Sequence, residues 1–304
     1  MKASLIALAV SASLSTLALA EPTLYGKANV SLQANDENGA STTELVSNAS
    51  RIGVKGSQPI DENLTAVYQA EFEVDIDGDS EDTFSQRNIF VGLEGDSWGQ
   101  VIAGKFDTPM KEAAGDVDLF NDLEADIKSI ITKSENRLGN SVQYSTPGSL
   151  APFVVSFDYI AAEEEDLDDG VSTSLTFEQD NLYLALAYDM DVEKQDANVL
   201  RLVGRIELGE LALGALYEDQ DAGSSSLNDG DGWLVSAAYS LNDKTTLKAQ
   251  YGQSDIVTVG GDTLSLGVDY KLHKQVKLFG FYTSEEADSG LDNDYLGAGI
   301  EVKF

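Results

Sequence analysis

The sequence has no cysteine, one histidine and few basic residues. Without cysteine the chain can form neither a disulfide framework nor a thiolate metal site. The single histidine, His273, lies in a predicted short turn and has no nucleophilic partner in the pattern, so we predict no catalysis. We also predict no cofactor and no dedicated metal site. Only 19 lysine and arginine residues accompany 53 aspartate and glutamate residues, a formal charge of −34. This acidity argues against nucleic acid as a partner.

Long hydrophobic runs are also scarce. Residues 1–20 are typical of an export signal, since Lys2 precedes a short apolar core and Ala18-Leu19-Ala20 forms a cleavage site before Glu21. An uncleaved membrane anchor is the alternative. Beyond this segment no apolar run approaches the ~20 residues that a transmembrane helix requires. We therefore expect an exported protein that loses residues 1–20, and any insertion into a membrane would use strands.

Alternation of apolar and polar residues is the dominant pattern in the rest of the chain. Leu264, Leu266 and Val268 share one face of a segment, for example, while Ser265 and Gly267 share the other. Roughly sixteen such segments can be marked, an even number that suits a transmembrane antiparallel up-and-down β-barrel. They begin near Leu24, Arg51, Leu64, Phe84, Gln100, Arg137, Pro152, Val171, Leu182, Val199, Leu211, Gly232, Thr245, Thr263, Val276 and Tyr295. A soluble all-β sandwich is the alternative fold.

The connections between these segments alternate strictly between short and long. We predict short connections at Ser57–Asn63, Gly95–Gly99, Thr146–Ala151, Glu178–Asn181, Gly209–Glu210, Leu241–Lys244 and Leu272–Gln275. The predicted long ones are Asn35–Ser50, Asp75–Asp82, Asp107–Asn136, Ala161–Gly170, Asp189–Asn198, Glu218–Asp231, Ser254–Asp262 and Ser284–Asp294. Outer-membrane barrels have short periplasmic turns and longer outer loops, so the long set should face outside. Tyrosines near both ends of the strands, such as Tyr188 and Tyr239, predict two interfacial belts.

The longest connection, about 107–136, differs from the others because it contains many apolar residues. A loop of this composition should pack against the rest of the protein, and folding into the barrel would let it narrow the lumen. Its acids are then candidates for the acidic side of a constriction: Asp116, Asp118, Asp122, Glu124 and Asp126. An ordered external loop with a short helix near Asp122–Ile130 is the alternative.

Basic residues within the strands are predicted to face the lumen, because charge on the lipid face near the midplane costs about 2–4 kcal/mol. This applies to Arg51, Lys105, Arg137, Arg201, Arg205 and Lys248. Arg87 does not fit, since the residues of its own parity, Ile89, Val91 and Leu93, are apolar. Ordinary charge balance in the lumen is the alternative role for the whole set.

Several segments resemble the general diffusion porins of Gram-negative outer membranes, which are sixteen-stranded and trimeric. The resembling segments are Leu24–Lys27, Ser50–Gly56, Gln86–Leu93 with Trp98-Gly99, Ala103–Lys105, Asn136–Tyr144 and the terminal Tyr295–Phe304. The resemblance implies a basic half-ring on the barrel wall at Arg51, Arg87, Lys105 and Arg137, opposite the acids of the 107–136 loop. The proline-glutamate-phenylalanine-glycine signature of the best-known enteric porins is absent, and Val117–Asp122 stands near its place.

The resulting hypothesis is a cell outer-membrane porin comprising a signal peptide (1–20) and one barrel domain (21–304) with a constriction loop. Its water-filled channel would pass small hydrophilic solutes and ions by passive diffusion. We expect cation preference, because carboxylates greatly outnumber basic groups along the access path. The expected partners are membrane lipid, lipopolysaccharide and two further copies of the chain in a homotrimer. An adhesive or structural barrel with ion-binding acidic loops and a substrate-specific sugar channel are the alternative functions.

Overall fold

The structure is a computed structural model that describes residues 21–79, 81–163, 167–225 and 227–304. The predicted signal peptide, residues 1–20, lies outside these ranges. The alternating segments form one antiparallel sheet. The strands are β1 (Thr23–Glu37), β2 (Ala40–Ser47 continued by Arg51–Pro59), β3 (Thr65–Val74), β4 (Phe84–Gly95), β5 (Gly99–Asp107), β6 (Arg137–Ser145), β7 (Phe153–Ile160), β8 (Gly170–Gln179), β9 (Leu182–Met190), β10 (Asn198–Leu208), β11 (Leu211–Asp221), β12 (Gly230–Asn242), β13 (Thr245–Ser254), β14 (Gly261–His273), β15 (Val276–Glu286) and β16 (Asp292–Lys303).

The sheet closes on itself, because β1 pairs with β16 on one edge and with both parts of β2 on the other. The two parts of β2 form one strand that is interrupted at Ala49, whose φ is 46°. The described chain is therefore a closed antiparallel barrel of sixteen strands, as the alternation predicts. Closure leaves no free sheet edge.

The two faces of the barrel differ sharply in polarity. On β1, Asn29, Ser31, Gln33 and Asn35 are buried on the inner face, whereas Leu32 on the outer face is 58% exposed. Tyrosines predicted for the belts, including Tyr188 and Tyr239, are exposed on the same outer face as the leucines. An apolar outside and a polar inside are the reverse of a soluble sandwich and suit a barrel surrounded by lipid.

The connections alternate in length, with one correction to the prediction. The Asn35–Ser50 segment is not a long loop but a continuation of β1 and β2 into a hairpin. Asn38 and Gly39 form its turn with φ values of 52° and 84°. An Asn-Gly pair with positive φ at both positions matches the twist of the flanking strands. We call the barrel end that carries the long connections the long-loop end and the other the short-turn end.

Among the described residues, helical structure is confined to short segments. The 108–136 connection contains α1 (Pro109–Glu112), a 3₁₀ turn (Gly115–Val117) and α2 (Ile127–Ile130), and a second 3₁₀ turn (Gly148–Leu150) precedes β7. None of the helices among the described residues is long and apolar enough to cross a membrane.

Candidate pore constriction

The longest connection folds into the lumen and follows the inner wall; residues 108–136 are called the inner loop below. It enters through α1, where Pro109 occupies the first helical position and the Thr108 hydroxyl accepts a hydrogen bond from the Lys111 backbone N–H at 3.3 Å. These are ordinary signals for a helix start. The helix packs against β7, β8 and β9, and the Ser172 hydroxyl of β8 accepts the backbone N–H of Met110 at 3.1 Å.

Apolar side chains of the inner loop are completely withdrawn from water. Met110, Val117, Phe120, Ile127 and Ile131 are at most 1% exposed. They join a cluster with inward-facing apolar residues of the wall, among which are Ala187, Val203, Leu216, Leu234 and Phe279. Burying a side chain of this size stabilises the docked loop by about 1.5–3 kcal/mol each. This accounts for the unusual apolar content of the segment.

Glycines in the wall make room for these side chains. A Cβ atom at Gly214 of β11 would lie 3.0 Å from Val117 Cγ1, and one at Gly252 of β13 would lie 2.5 Å from Ile131 Cδ1. At Gly267 of β14 it would lie 2.9 Å from Phe120 Cε1. The wall therefore carries hollows that match particular side chains of the inner loop.

Polar side chains of the wall bind the backbone of the inner loop between these hollows. Gln250 accepts the Leu119 N–H at 2.9 Å and donates to the Ala125 carbonyl at 3.1 Å. Lys248 donates to the Leu119 carbonyl at 2.8 Å, and the Ser254 hydroxyl donates to the Ile131 carbonyl at 2.8 Å. These contacts satisfy the backbone groups that the loop buries.

Arg201 of β10 is a fully buried anchor for both ends of the inner loop. Its Nε donates to Glu218 Oε2 of β11 at 2.7 Å, and its Nη1 donates to the Glu135 carboxylate at 2.7 Å and to the Met110 carbonyl at 2.9 Å. Arg201 and Glu218 are both 0% exposed. Buried charged groups must be paired, and the inner loop supplies two of the acceptors that stabilise the Arg201 guanidinium, the Glu135 carboxylate and the Met110 carbonyl.

The tip of the inner loop reaches the strands on the far side of the barrel. Asp122, with a φ of 66°, accepts hydrogen bonds from Lys27 of β1 and from Arg51 of β2, the latter at 2.7 Å. Burial disfavours the charged carboxylate, but Lys27 and Arg51 together hold the pKa of Asp122 below its ordinary value. The carboxylate is therefore ionised near neutral pH. A loop that extends this far narrows the lumen and sets an acid against a basic wall.

Comparison with known proteins agrees with this architecture. The profile of the Gram-negative porin family matches residues 5–290. The chain belongs to the Gram-negative porin family. Membership assigns it to the outer membrane of a Gram-negative cell. In the described ranges of this porin, no group of three or more His, Asp or Glu side chains is arranged to hold a metal ion.

Curated relatives of this porin include outer membrane proteins of Neisseria. The major outer membrane protein P.IB of Neisseria sicca is 34% identical over 181 residues, which cover 56% of this chain and 50% of that protein. The P.IB protein of Neisseria lactamica is 26% identical over 265 residues, covering 82% of this chain and 77% of that protein. The chain spans about half the length of the first curated relatives that it matches.

Solved structures of other porins share the fold of this porin. An anion-selective porin from Comamonas acidovorans superimposes with a TM-score of 0.80 at 19% identity, covering 94% of this chain and all of the other. OmpF of Salmonella typhi, in a complex with daunomycin, gives 0.78 at 18% identity, covering 93% of this chain and 97% of that one. At such identity the likeness concerns the fold alone.

The acids predicted for the constriction occupy different environments in this porin. Asp116 is exposed. Asp118 and Asp126 are turned into the inner loop: Asp118 accepts the Phe120 and Ile127 N–H groups at 3.0 and 3.1 Å, and Asp126 caps α2. Asp122 alone reaches the basic wall. The structure therefore separates one acid at the constriction from two that organise the loop.

Glu124 lies on the side of the inner loop that faces the long-loop end. Burial, together with the nearby charges of Glu44 and Glu37, raises the pKa of Glu124. Glu285 of β15 faces the same group from the wall. These four glutamates form an acidic vestibule above the constriction.

The predicted basic half-ring is partly assembled. Arg51 contacts the loop tip, and Arg137 of β6 lies 2.8 Å from the Asp107 carboxylate and donates to Asn88. Lys105 pairs in register with Ile89 of β4, and its side chain forms no ion pair with any residue in the described ranges. The structure does not bring Lys105 to the inner loop.

Arg87 faces the lumen because β4 contains a bulge. Phe72 of β3 pairs with Gln86, but Ala70 pairs with Ile89, so β4 holds one extra residue at Arg87-Asn88. The bulge reverses the alternation, and Arg87 binds Glu71 at 2.8 Å and Glu73 on the lumen side. The parity conflict in the sequence is therefore explained by local geometry.

Two contacts that hold the inner loop and the wall together were not predicted from the sequence. Lys27 shares the inner parity of Asn29 and Ser31, and that alternation would have placed it in the lumen. The pairing of Arg201 with Glu218 could also have been predicted from the sequence. The tight Gly209-Glu210 turn sets the register that places these two residues opposite each other.

Proposed function

We propose that this porin forms a water-filled channel for passive diffusion of small hydrophilic solutes and ions, with preference for cations. The observation that carries the proposal is the contact of Asp122 with Lys27 and Arg51. It brings the tip of an inward loop against the opposite wall, within a lumen lined by polar side chains. A constriction between an acid and basic groups aligns polar solutes in a transverse field and disfavours apolar ones.

Charge balance around the constriction supports cation preference. The arginines of the wall are neutralised by neighbouring carboxylates: Arg87 by Glu71 and Glu73, and Arg137 by Asp107. In the part of the chain that the structure describes, Glu37, Glu44, Glu124 and Glu285 of the acidic vestibule form no ion pair. Lys128, the basic group that acts on Glu124, is itself paired with Asp126. Uncompensated carboxylates at an entrance raise the local concentration of cations and lower that of anions.

The proposed setting is a homotrimer in the outer membrane, with the long-loop end outside and the short-turn end in the periplasm. The exposed apolar outer face supports contact with membrane lipid, and we propose lipopolysaccharide as the lipid partner of the outer leaflet. We propose the trimer because the chain resembles the trimeric general diffusion porins. Analytical ultracentrifugation in detergent would test it, and a monomer as the only species would contradict it.

The channel function is tested by recording from the purified protein in planar bilayers. We expect open conductance and, across a tenfold salt gradient, a reversal potential of the sign that indicates cation preference. Neutralising the vestibule by Glu124→Gln and Glu285→Gln should move the reversal potential toward zero, whereas Glu210→Gln in the turn before β11 serves as the matched control. Anion selectivity of the native protein would reject the cation preference, and a barrel without conductance would favour the adhesive or structural role.

A further inference from the structure

A cavity of about 550 Å³ lies directly beneath the inner loop, on its short-turn side. Leu119–Leu123 of the inner loop forms its roof. The walls come from the short-turn ends of β1, β13, β15 and β16, which contribute Tyr25, Lys248, Lys277 and Lys303. The volume exceeds that of a small aromatic acid, so the cavity can admit such a molecule together with water.

Basic side chains are concentrated in this cavity although the whole chain is strongly acidic. Five of them line it: Lys27, Arg51, Lys248, Lys277 and Lys303. Within the described ranges, these five groups share three carboxylate partners. Asp122 serves Lys27 and Arg51; Asp269 serves Lys248 at 3.3 Å and Lys277 at 3.4 Å; Glu301 serves Lys277 at 3.9 Å and Lys303 at 3.3 Å.

Because the basic side chains share their carboxylate partners, the cavity can offer hydrogen-bond donors to an additional anion. Five cationic side chains face three carboxylates, and a lysine ammonium has three donors. Glu71 also lines the cavity, but it already accepts hydrogen bonds from Arg87 and from the Tyr25 hydroxyl. Lys248 and Arg51 each also donate to one backbone carbonyl, of Leu119 and Ala49 respectively. An incoming carboxylate would still meet lysine donors that the internal acids share rather than saturate.

Apolar and aromatic groups stand beside these charges. Lys277 Nζ lies 5.6 Å from the centre of the Phe279 ring, and Lys248 Nζ lies 4.8 Å from that of Phe120. Phe279, Leu119 and Leu123 also line the cavity. A pocket that offers both lysine donors and aromatic faces suits a ligand with an anionic group and an apolar body.

We propose that this cavity binds small organic anions that carry an apolar portion, such as aromatic carboxylates, and that they reach it from the short-turn side of the barrel. An anion from that side arrives without passing the constriction. From the other side it must cross the acidic vestibule and pass Asp122. Occupancy of the cavity obstructs the lumen beneath the inner loop, so the same anion blocks current more strongly from one side than from the other.

The binding experiment uses the full protein in detergent and does not depend on conductance. Benzoate is titrated by calorimetry, with benzamide as its uncharged counterpart and acetate as the anion without an apolar body. We expect benzoate to bind more tightly than either. Lys277→Gln should weaken benzoate binding about threefold, within the range of a partly exposed charge pair. Lys303→Gln should act in the same direction, and Lys274→Gln, in the short turn outside this cavity, should leave the affinity unchanged.

Equal affinities for benzoate and benzamide, or native affinity in both Lys277→Gln and Lys303→Gln, would overturn the proposal. In bilayers we expect benzoate to reduce conductance at lower concentration from the short-turn side, and equal block from both sides would contradict the access route. The inference rests on the proposed channel for its functional meaning, yet the two fail separately. Conductance without benzoate binding rejects only the cavity proposal, whereas binding without conductance rejects only the channel.

Discussion

Asp122 and Arg51 are separated by 71 positions in the chain, yet Arg51 Nη2 lies 2.7 Å from Asp122 Oδ2 in the lumen. The Asp122→Asn substitution removes the charge that Lys27 and Arg51 share. Losing a charged hydrogen bond should weaken docking of the loop tip by about 1.5–3 kcal/mol. We expect a noisier open channel with less cation preference, as measured by single-channel recording and reversal potentials. Asp116→Asn, at an exposed position of the same loop, is the control, and equal effects of the two variants would refute this role of Asp122.

A second prediction concerns the buried pair of Arg201 and Glu218. Replacing Arg201 by methionine leaves the Glu218 charge unpaired at a fully buried position, which should lower the free energy of unfolding by about 3–5 kcal/mol. Arg205→Gln on the same strand breaks only a partly exposed pair with Glu207 and should cost about 1 kcal/mol or less. Urea unfolding from lipid vesicles compares the two. Similar losses in both variants would show that Arg201 does not anchor the barrel.

A third prediction tests the hollow beneath Phe120. In Gly267→Ala the new Cβ would lie 2.9 Å from the buried Phe120 ring, so either the ring or the inner loop must move. We expect altered conductance in a correctly folded barrel. Gly280→Ala on the neighbouring strand is the matched control, because its nearest heavy atom, the Gly297 carbonyl oxygen, would be 3.7 Å away. Heat-modifiability in gels verifies folding of both variants, and unchanged conductance in Gly267→Ala would contradict close docking.

The fourth prediction concerns pH. Burial, followed by the charge of Asp126, raises the pKa of Asp118 to about 7. A carboxyl whose pKa is raised in the folded state contributes stability at low pH, and that contribution is lost as pH rises through the folded value. The docked inner loop should therefore weaken between about pH 4 and pH 7, given an ordinary aspartate pKa near 3.9.

Asp126→Asn provides the discriminating variant for this pH dependence. Asparagine can still cap α2, but it removes one cause of the raised Asp118 pKa, so the transition should move to lower pH. Current noise recorded from pH 4 to pH 8 is the measurement. A transition at the same pH in native protein and variant would exclude a contribution of Asp126 to the raised Asp118 pKa.

The sequence pattern was sufficient to predict the barrel, because alternation, register and turn length reinforce one another over many strands. The same logic failed for Arg87, since one extra residue in β4 reverses the alternation and no local signal marks the bulge. It failed also at Asn35–Ser50, which the alternation of short and long connections predicted to be a long loop, whereas the Asn38-Gly39 pair makes a hairpin turn.

The constriction was predictable only in outline. Apolar residues such as Phe120 and Ile131 indicated that the inner loop packs inward. Which acid reaches the wall depends on the turn at Asp122 and on the hydrogen bonds that hold Asp118 and Asp126 inside the loop. These are tertiary contacts between distant parts of the chain, and residue type alone cannot distinguish them.

The inner loop connects strands on opposite sides of the ring, since Arg201 of β10 holds its two ends and Arg51 of β2 holds its tip. A closed sheet by itself can flatten into an ellipse under lateral pressure from the surrounding bilayer. An inner loop that is bound at both positions should resist that deformation. We therefore expect the width of the opening to depend little on membrane tension.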